Sequence, residues 1–326
     1  MVIGPENAGR RLDRFLLAFL NGASKSFVYK MLRKKRIKLN TSRAHGSEML
    51  NEGDVLRFYL SQSTIDGFRR QVVAEEARPM PEIVHEDDSL LVVNKPAGLA
   101  SQGGIGSGGD HLIGRILFYL QQKGEFPPDA DFTPGICNRL DINTSGLLIC
   151  GKNLRSLQEY GQLFRDRAIR KEYIAVVDGI ISSGAIFCDF ISKDEKARKA
   201  VILNDIGKDH NGKTNSLVKQ TITKTTVLAH GPAQTCLLVE PITGRFHQIR
   251  AQLSHHGQPL AGDKKYGGKP FTFARNQLLH CWRISVNSKG LVWEAPLPQN
   301  FSDCIKGWRA TCEIGQRICN FRMTTW

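Results

Sequence analysis

The chain has 326 residues, of which 41% are hydrophobic and 23% charged, a balance that excludes disorder and fibre and leaves room for about two domains. Forty-five Lys and Arg against thirty-one Asp and Glu give a net charge of +14, so a polyanion such as RNA, DNA or an acidic membrane face is the expected partner. No apolar run reaches the ~18 residues of a membrane span, and the stretch after Arg10 and Arg11 is too short for a twin-arginine export signal, so a cytoplasmic protein without a membrane partner is expected.

In chain order, Leu12, Phe15, Leu16 and Phe19 recur at helical spacing, and a second helix is predicted after Ser24 as its N-cap. Phe27, Val28, Met31 and Leu32 form the buried stripe of that second helix, which leaves Lys30, Arg33, Lys34 and Arg36 free to meet phosphates. Strands are expected at residues 37–40 and 54–60. Residues 1–62 carry twelve Lys and Arg against five Asp and Glu, half of the net charge in a unit too small to be more than marginal alone. An accessory RNA-binding domain is the reading that follows.

Residues 63–81 lose the apolar period and end in a proline-rich stretch, so a linker is predicted there. A second domain is expected over residues 82–301. Its predicted strands lie at 89–94, 146–150, 173–177, 226–240 and 291–294, and its predicted helices at 111–122 and 154–166, a strand-rich α+β pattern with no internal repeat. The polar, lysine-rich residues 193–225 fit either surface hairpins or a flexible insertion. Residues 302–326, with Trp308, three cysteines and Trp326, read as a C-terminal tail without an assigned role.

Several motifs imitate chemistry. GIGSGG, residues 104–109, has dinucleotide-binding spacing but no surrounding βαβ pattern, and a mobile glycine loop is expected. GLLICGK, residues 146–152, has Walker spacing, yet Asn153 stands where a Mg²⁺-binding hydroxyl belongs and the intervening residues are those of a buried strand. His247, His255, His256 and His280 lack the i, i+4 pairing of a zinc helix, and no GxSxG elbow is present. The eight cysteines, at 137, 150, 188, 236, 281, 304, 312 and 319, form no CxxC pair; reduced thiols in a reducing compartment are expected, without a disulfide framework or a zinc knuckle.

Two segments stand apart. RLDINTSG, residues 139–146, sets Asp141 among turn formers at the mouth of an apolar strand, where it is either a turn cap or a placed carboxylate. TGRFHQIR, residues 243–250, brings two arginines and a histidine beside another apolar strand.

These strings, with VVNKPAGLASQGG at 92–104, KEYIAVVDG at 171–179 and PLAGDKKYG at 259–267, occur in the order found in the RluA family of pseudouridine synthases, which the chain resembles from residue 10 to about residue 300. The N-terminal unit resembles an S4 domain. The nearest arrangement is the RluC-like type, synthases of large-subunit ribosomal RNA. The resemblance implies a pseudouridine synthase fold with a mixed, largely antiparallel sheet, and a monomer that acts on RNA, 23S ribosomal RNA first, with no cofactor and no metal. It also implies the reaction: the glycosidic bond of a uridine is broken, the uracil rotates, and C5 is joined to C1′ in place of N1.

By residue-wise resemblance Asp141 is the essential carboxylate, acting as nucleophile at C1′ or as base at C2′ to form a glycal. Arg250 matches its cationic partner, needed because desolvation alone favours the neutral acid. Tyr173 matches the residue that stacks on the uracil and takes the C5 proton, and Arg139 the residue that assists nucleotide flipping, which costs a few kcal/mol of unstacking. Leu253 is expected to wall the base pocket, and Lys95, Arg245 and Lys264 to contact phosphates. Asn138 stands where the family carries histidine, which puts any proton transfer at that position in doubt. Two other readings fit the same charge: a tRNA synthase, and an RNA-binding or ribosome-assembly factor that has kept the fold without its activity, against which the intact Asp141, Tyr173 and Arg250 speak.

Overall fold

A computed structural model describes residues 1–20, 22–68, 79–103, 109–126, 132–203 and 218–319. The first element pair is the expected one: α1 (Leu12–Phe19) and α2 (Lys25–Arg33), the latter capped by Ser24, whose Oγ accepts from Phe27 N at 3.1 Å. Three short strands follow, β1 (Ile37–Leu39), β2 (Ser42–Arg43) and β3 (Leu56–Phe58), in the order β2-β1-β3. Leu12, Phe15, Leu16, Val28, Leu32, Ile37 and Leu56 close a separate small core beneath them.

The expected linker starts later than its polarity suggests. Residues 62–68 form α3 (Gln62–Phe68), and Phe68 packs its ring 4.3 Å from that of Phe27 while its carbonyl accepts from Gly22 N at 2.8 Å. One aromatic anchor is enough to hold a short, otherwise polar helix on the unit. Residues 69–78 lie outside the described residues, as do residues 104–108 of the glycine-rich stretch.

The larger domain is an α+β fold on a twelve-stranded sheet. Its elements run β4 (Ile83–Glu86), β5 (Leu90–Lys95), α4 (Leu112–Gln122), β6 (Gly135–Ile136), β7 (Ser145–Gly151), α5 (Leu154–Arg165), β8 (Arg170–Asp178), β9 (Ile186–Asp194), β10 (Lys199–Leu203), β11 (Lys219–His230) and β12 (Gln234–Pro241). They continue with α6 (Gln248–His255), β13 (Leu279–Val286), β14 (Leu291–Glu294), α7 (Gln299–Ile305), β15 (Arg309–Ala310) and α8 (Glu313–Cys319). Both predicted helices of this domain are present, α4 capped by His111 Nδ1, which accepts from Gly114 N, and α5 by a capping box of Asn153 and Ser156. The Walker look-alike is β7, buried along its whole length.

The sheet order is β10-β9-β11-β12-β8-β13-β7-β5-β4, antiparallel throughout except for the β13–β7 pair at its centre. That pair sets up the site. Tyr173 on β8 is level with Cys281 on β13, and Cys281 with Gly146 on β7, so the loop leading into β7 ends beside the tyrosine. Gly146 permits the crossing: its φ is +110°, and a Cβ there would lie 2.2 Å from the Cys281 carbonyl oxygen.

Three expectations change. The predicted strand 226–240 is two strands turning at residues 231–233, and β13 and β9 escape notice in the sequence because their apolar runs are broken by His280, Arg283 and Asp189. Residues 193–225 take the hairpin form where they are described, β10 pairing with β9, while 204–217 lie outside the described residues. The C-terminal segment is no detached tail up to residue 319: α7, β15 and α8 bury Phe301, Cys304, Ile305, Ile318 and Cys319 against Leu228, Cys236 and Trp282. All eight cysteines are free thiols.

Candidate active site

Asp141 sits in the loop between β6 and β7, and its surroundings hold that loop from three sides. Asn138 fastens it to β7 with a backbone-like pair, Oδ1 accepting from Ile149 N at 2.9 Å and Nδ2 donating to the Leu147 carbonyl at 3.3 Å. Ser101 Oγ donates to the Leu140 carbonyl at 2.8 Å and accepts from Leu140 N at 3.1 Å. Thr144 N closes the turn on the Asp141 carbonyl at 3.0 Å. An amide at position 138 therefore does structural work that needs no proton transfer.

Arg250, on the first turn of α6, reaches across to this loop. Its Nη1 donates to Asp141 Oδ2 at 3.0 Å, while Nε and Nη2 grip Asp263 in a fork at 2.7 and 2.9 Å. Burial alone would lower the arginine's pKa, but Asp263 and Asp141 together raise it. The Asp263 side chain is 1% exposed and that of Asp141 25%, so one carboxylate anchors the guanidinium from below and the other meets solvent. A planar guanidinium is suited to this division because its donors are fixed in one fork.

His247 completes the surround. Its ring Nε2 lies 3.6 Å from Asp141 Oδ2, and its Nδ1 is 2.8 Å from Tyr266 Oη. That phenol oxygen also accepts the Ala200 N–H at 2.8 Å, so the imidazole is held from its Nδ1 side while its Nε2 edge faces Asp141. Burial pushes His247 down to about 4, with Asp141 opposing the shift, and the ring is neutral near pH 7. Its backbone is left-handed, φ +51°, at the point where the TGRF loop turns into α6. Gln248 secures that loop by accepting from Thr243 Oγ1 at 2.8 Å and Arg245 N at 3.0 Å while donating to the Ile222 carbonyl at 2.9 Å.

Tyr173 stands close enough to the Asp141 carboxylate to be affected by its charge. Burial first, then Cys281 and Asp141, hold the phenol well above its ordinary pKa, so it stays protonated. A carboxylate paired to a buried arginine, beside a protonated tyrosine, offers a nucleophile or base with a stacking surface. A family model described as RNA pseudouridylate synthase matches residues 89–255, which include Asp141, Tyr173 and Arg250. The chain belongs to this RNA pseudouridine synthase family.

The synthase is 31% identical over 328 residues to ribosomal large subunit pseudouridine synthase C of Yersinia pestis, covering 96% of this chain and 97% of that one. It is 31% identical over 287 residues to the C synthase of Haemophilus influenzae, covering 85% and 82%. Its fold is similar to that of human RNA pseudouridylate synthase domain containing 4, with a TM-score of 0.57 at 20% identity over 75% of this chain and 95% of that chain. The RluA resemblance read from the motif strings agrees with these relatives.

The other expected residues are placed unevenly. Arg139 is exposed two residues before Asp141 and makes no ion pair or hydrogen bond among the described residues. Arg245 is half-buried, its Nε donating to the Gln220 carbonyl at 3.2 Å, and Lys264 is exposed beside Asp263. Lys30, Arg33, Lys34 and Arg36 are all exposed on the N-terminal unit. Leu253 is fully buried, in the same core cluster as Tyr173 and Ile249, so it offers no exposed surface as a pocket wall.

Lys95 is a clearer correction. Its ammonium is fully buried and donates to the carbonyls of Leu99, Pro96 and Ile142 at 2.7, 2.9 and 3.1 Å. With no proton left for a phosphate, it ties the residue after Asp141 to the 96–99 loop; burial lowers its pKa to about 7 against the opposing charge of Asp141. Lys95→Met removes the burial penalty but strands buried acceptors, each costing about 1–3 kcal/mol. The variant is expected to unfold at lower denaturant and to turn over more slowly, while the salt dependence of RNA binding stays as in the parent; a reduced salt slope would return Lys95 to the phosphate-binding set.

Among the described residues, one group has the donors for a metal: Asp189, His255 and His256, whose ligand atoms lie within 4.8 Å of one another. It sits at the far end of α6 from Arg250, and existing contacts account for it. His256 bonds Asp189 at 3.0 Å and stacks on Phe187, and Gln252 Nε2 donates to Asp189 at 2.7 Å. No residue of this group touches Asp141. The sequence does not single out His247, Tyr266 and Asp263 as site residues. TGRFHQIR and PLAGDKKYG contain them, but only the fold turns both strings toward one carboxylate.

Proposed function

We propose that this synthase converts specific uridines of large-subunit ribosomal RNA to pseudouridine, as a monomeric cytoplasmic enzyme that uses its own side chains and no cofactor. The observation that carries the reading is the Asp141–Arg250 pair at 3.0 Å beside Tyr173, together with relatives that are named for ribosomal large subunit RNA. Among the described residues no helix is long and apolar enough to cross a membrane.

Asp141 attacks C1′ to form an ester, or removes the proton at C2′ to form a glycal, as the N1–C1′ bond breaks; the uracil turns on the face of Tyr173, and C5 joins C1′ as the ester bond to Asp141 breaks or C2′ regains its proton, after which C5 loses its proton and N1 gains one. The neutral phenol favours the stacking part of the Tyr173 role, since accepting the C5 proton would require it first to lose its own. Arg250 holds the Asp141 carboxylate by Oδ2 and leaves Oδ1 for the sugar. Arg139 enters the space vacated by the flipped nucleotide.

Residues 1–68 serve as an S4-like RNA-binding unit, and 82–319 as the catalytic domain. Replacing Lys30, Arg33 and Lys34 together by Gln is expected to weaken RNA binding and to reduce the slope of log K against log salt by about 0.7–0.9 for each phosphate that is no longer neutralised. An unchanged slope would remove this face from the interface.

The substrate is tested by mapping pseudouridines in a strain lacking the gene. Loss of sites in 23S ribosomal RNA, restored by the parent chain and not by Asp141→Ala, is the expected result. Loss confined to tRNA would move the substrate, and unchanged RNA would favour a binding factor.

A further inference from the structure

Phe246 is 43% exposed and directly precedes His247, whose ring reaches Asp141. The Phe246 ring stacks on the face of His247 with centroids 3.8 Å apart and planes 20° from parallel, and the edge of that imidazole carries the Nε2 that lies 3.6 Å from Asp141 Oδ2. Phe246 and Asp141 thus share one imidazole, the first on its face and the second at its edge. His247 takes a left-handed backbone where the chain turns into α6. A left-handed backbone is uncommon for a residue with a side chain and is maintained only where the surroundings fix it. Here Tyr266 and Gln248 do so.

The setting of the ring is cationic. The Lys193 ammonium lies 5.4 Å from its centroid, and the half-buried Arg245 precedes it in sequence. Lys193 is half exposed, lies over the Phe246 ring and pairs with the more exposed Glu195, so an incoming base that takes its place on the ring leaves it to turn toward another anion. A solvent-facing aromatic with an exposed cation beside it is the chemistry that binds single-stranded nucleic acid, the ring stacking on a base and the cation meeting its phosphate.

We infer that Phe246 is a stacking subsite for the base adjacent to the target uridine, with Lys193 meeting the phosphate of that nucleotide. The inference rests on RNA uridine being the substrate. It also supplies an energetic purpose: extruding a uridine strips its neighbour of one stacking face, and the phenyl ring replaces that face one step from Asp141. Part of the cost of flipping is then recovered at the enzyme surface, and preference for the flanking base follows from how well each base stacks.

The probe is a short single-stranded oligoribonucleotide with one uridine flanked on both sides by 5-iodocytidine, which joins on irradiation to an aromatic ring stacked against it. Peptide mapping is expected to place the cross-link on Phe246 in the parent chain and equally in Asp141→Ala, which keeps the subsite without turnover. Phe246→Ala is expected to bind the oligonucleotide about 5- to 150-fold more weakly, and Phe246→Trp to bind it as the parent does. Phe246→Leu keeps apolar packing on His247 but has no flat face, so it should resemble the alanine variant in affinity; affinity like the parent's would overturn the inference in favour of a structural role.

Cross-links that avoid Phe246 would overturn it as well. Isomerisation is followed separately by tritium release from RNA labelled at uridine C5. An absence of release with the Phe246 cross-link intact would count against the synthase reading and leave the subsite standing.

Discussion

Asp141→Ala is expected to bind RNA as tightly as the parent chain and to form no pseudouridine. Binding is expected to persist because the exposed cations Lys30, Arg33 and Lys34 lie on the N-terminal unit and not on the loop that carries Asp141. Turnover is lost because no other carboxylate among the described residues can reach the same position: Asp263, the nearest candidate, is 1% exposed and committed by both oxygens to Arg250. Removing the attacking group of an enzyme typically costs about 10⁴- to 10⁶-fold in rate, which places the variant at or below detection in a tritium-release assay.

Asp141→Asn is the sharper control. It keeps the size of the side chain and an oxygen for Arg250 Nη1, so the loop held by Asn138, Ser101 and Lys95 should not shift. Equal loss in both variants assigns the chemistry to the anion. Residual turnover in Asp141→Asn above that of Asp141→Ala would mean that the group does no more than hold the guanidinium, and the mechanism would fail.

The reach of the sequence can be judged at particular residues. Asp141 and Arg250 draw attention because each stands in a dense charged string next to an apolar run, a local signal, whereas Tyr173, and the roles of all three, come from the family resemblance. The α4 and α5 helices are legible for the same reason, their caps His111 and Asn153 adjoining a clear helical period. Lys95 is misread because nothing in VVNKPAG reveals that Ile142, far along the chain, lends it a carbonyl. Leu253 is misassigned because an apolar residue one turn beyond Arg250 looks the same whether it lines a pocket or is buried in the core.

The C-terminal helices escape the sequence for a related reason. Residues 302–319 are too polar on average to announce a core, yet Phe301, Ile305 and Ile318 are buried once β11 and β12 supply the opposing face. Local pattern gives elements, and contacts between elements distant in sequence give roles. His247 marks the boundary: its neighbours in TGRFHQIR are visible, but its setting depends on Tyr266 and Ala200, which only the fold brings near.

Arg250→Leu is expected to lose activity and about 3–5 kcal/mol of stability together, because one guanidinium serves two carboxylates of different exposure. Without it Asp263 keeps a buried charge with no side-chain partner among the described residues, and that uncompensated charge dominates the loss in stability. Asp141, a quarter exposed, retains water and suffers chiefly in function. The two effects can therefore be separated.

Adding Asp263→Asn to Arg250→Leu removes the stranded charge and is expected to recover most of the stability, measured by chemical denaturation, with no recovery of pseudouridine formation. Asp263→Asn alone should leave Arg250 less firmly placed and lower the rate without abolishing it. Arg250→Lys keeps the charge but cannot fork onto Asp263 while reaching Asp141, and it should fall between the parent and Arg250→Leu in both measurements. If Arg250→Leu were as stable as the parent, Asp263 would have to be satisfied by some other group; if it turned over normally, Asp141 would need no cation to act.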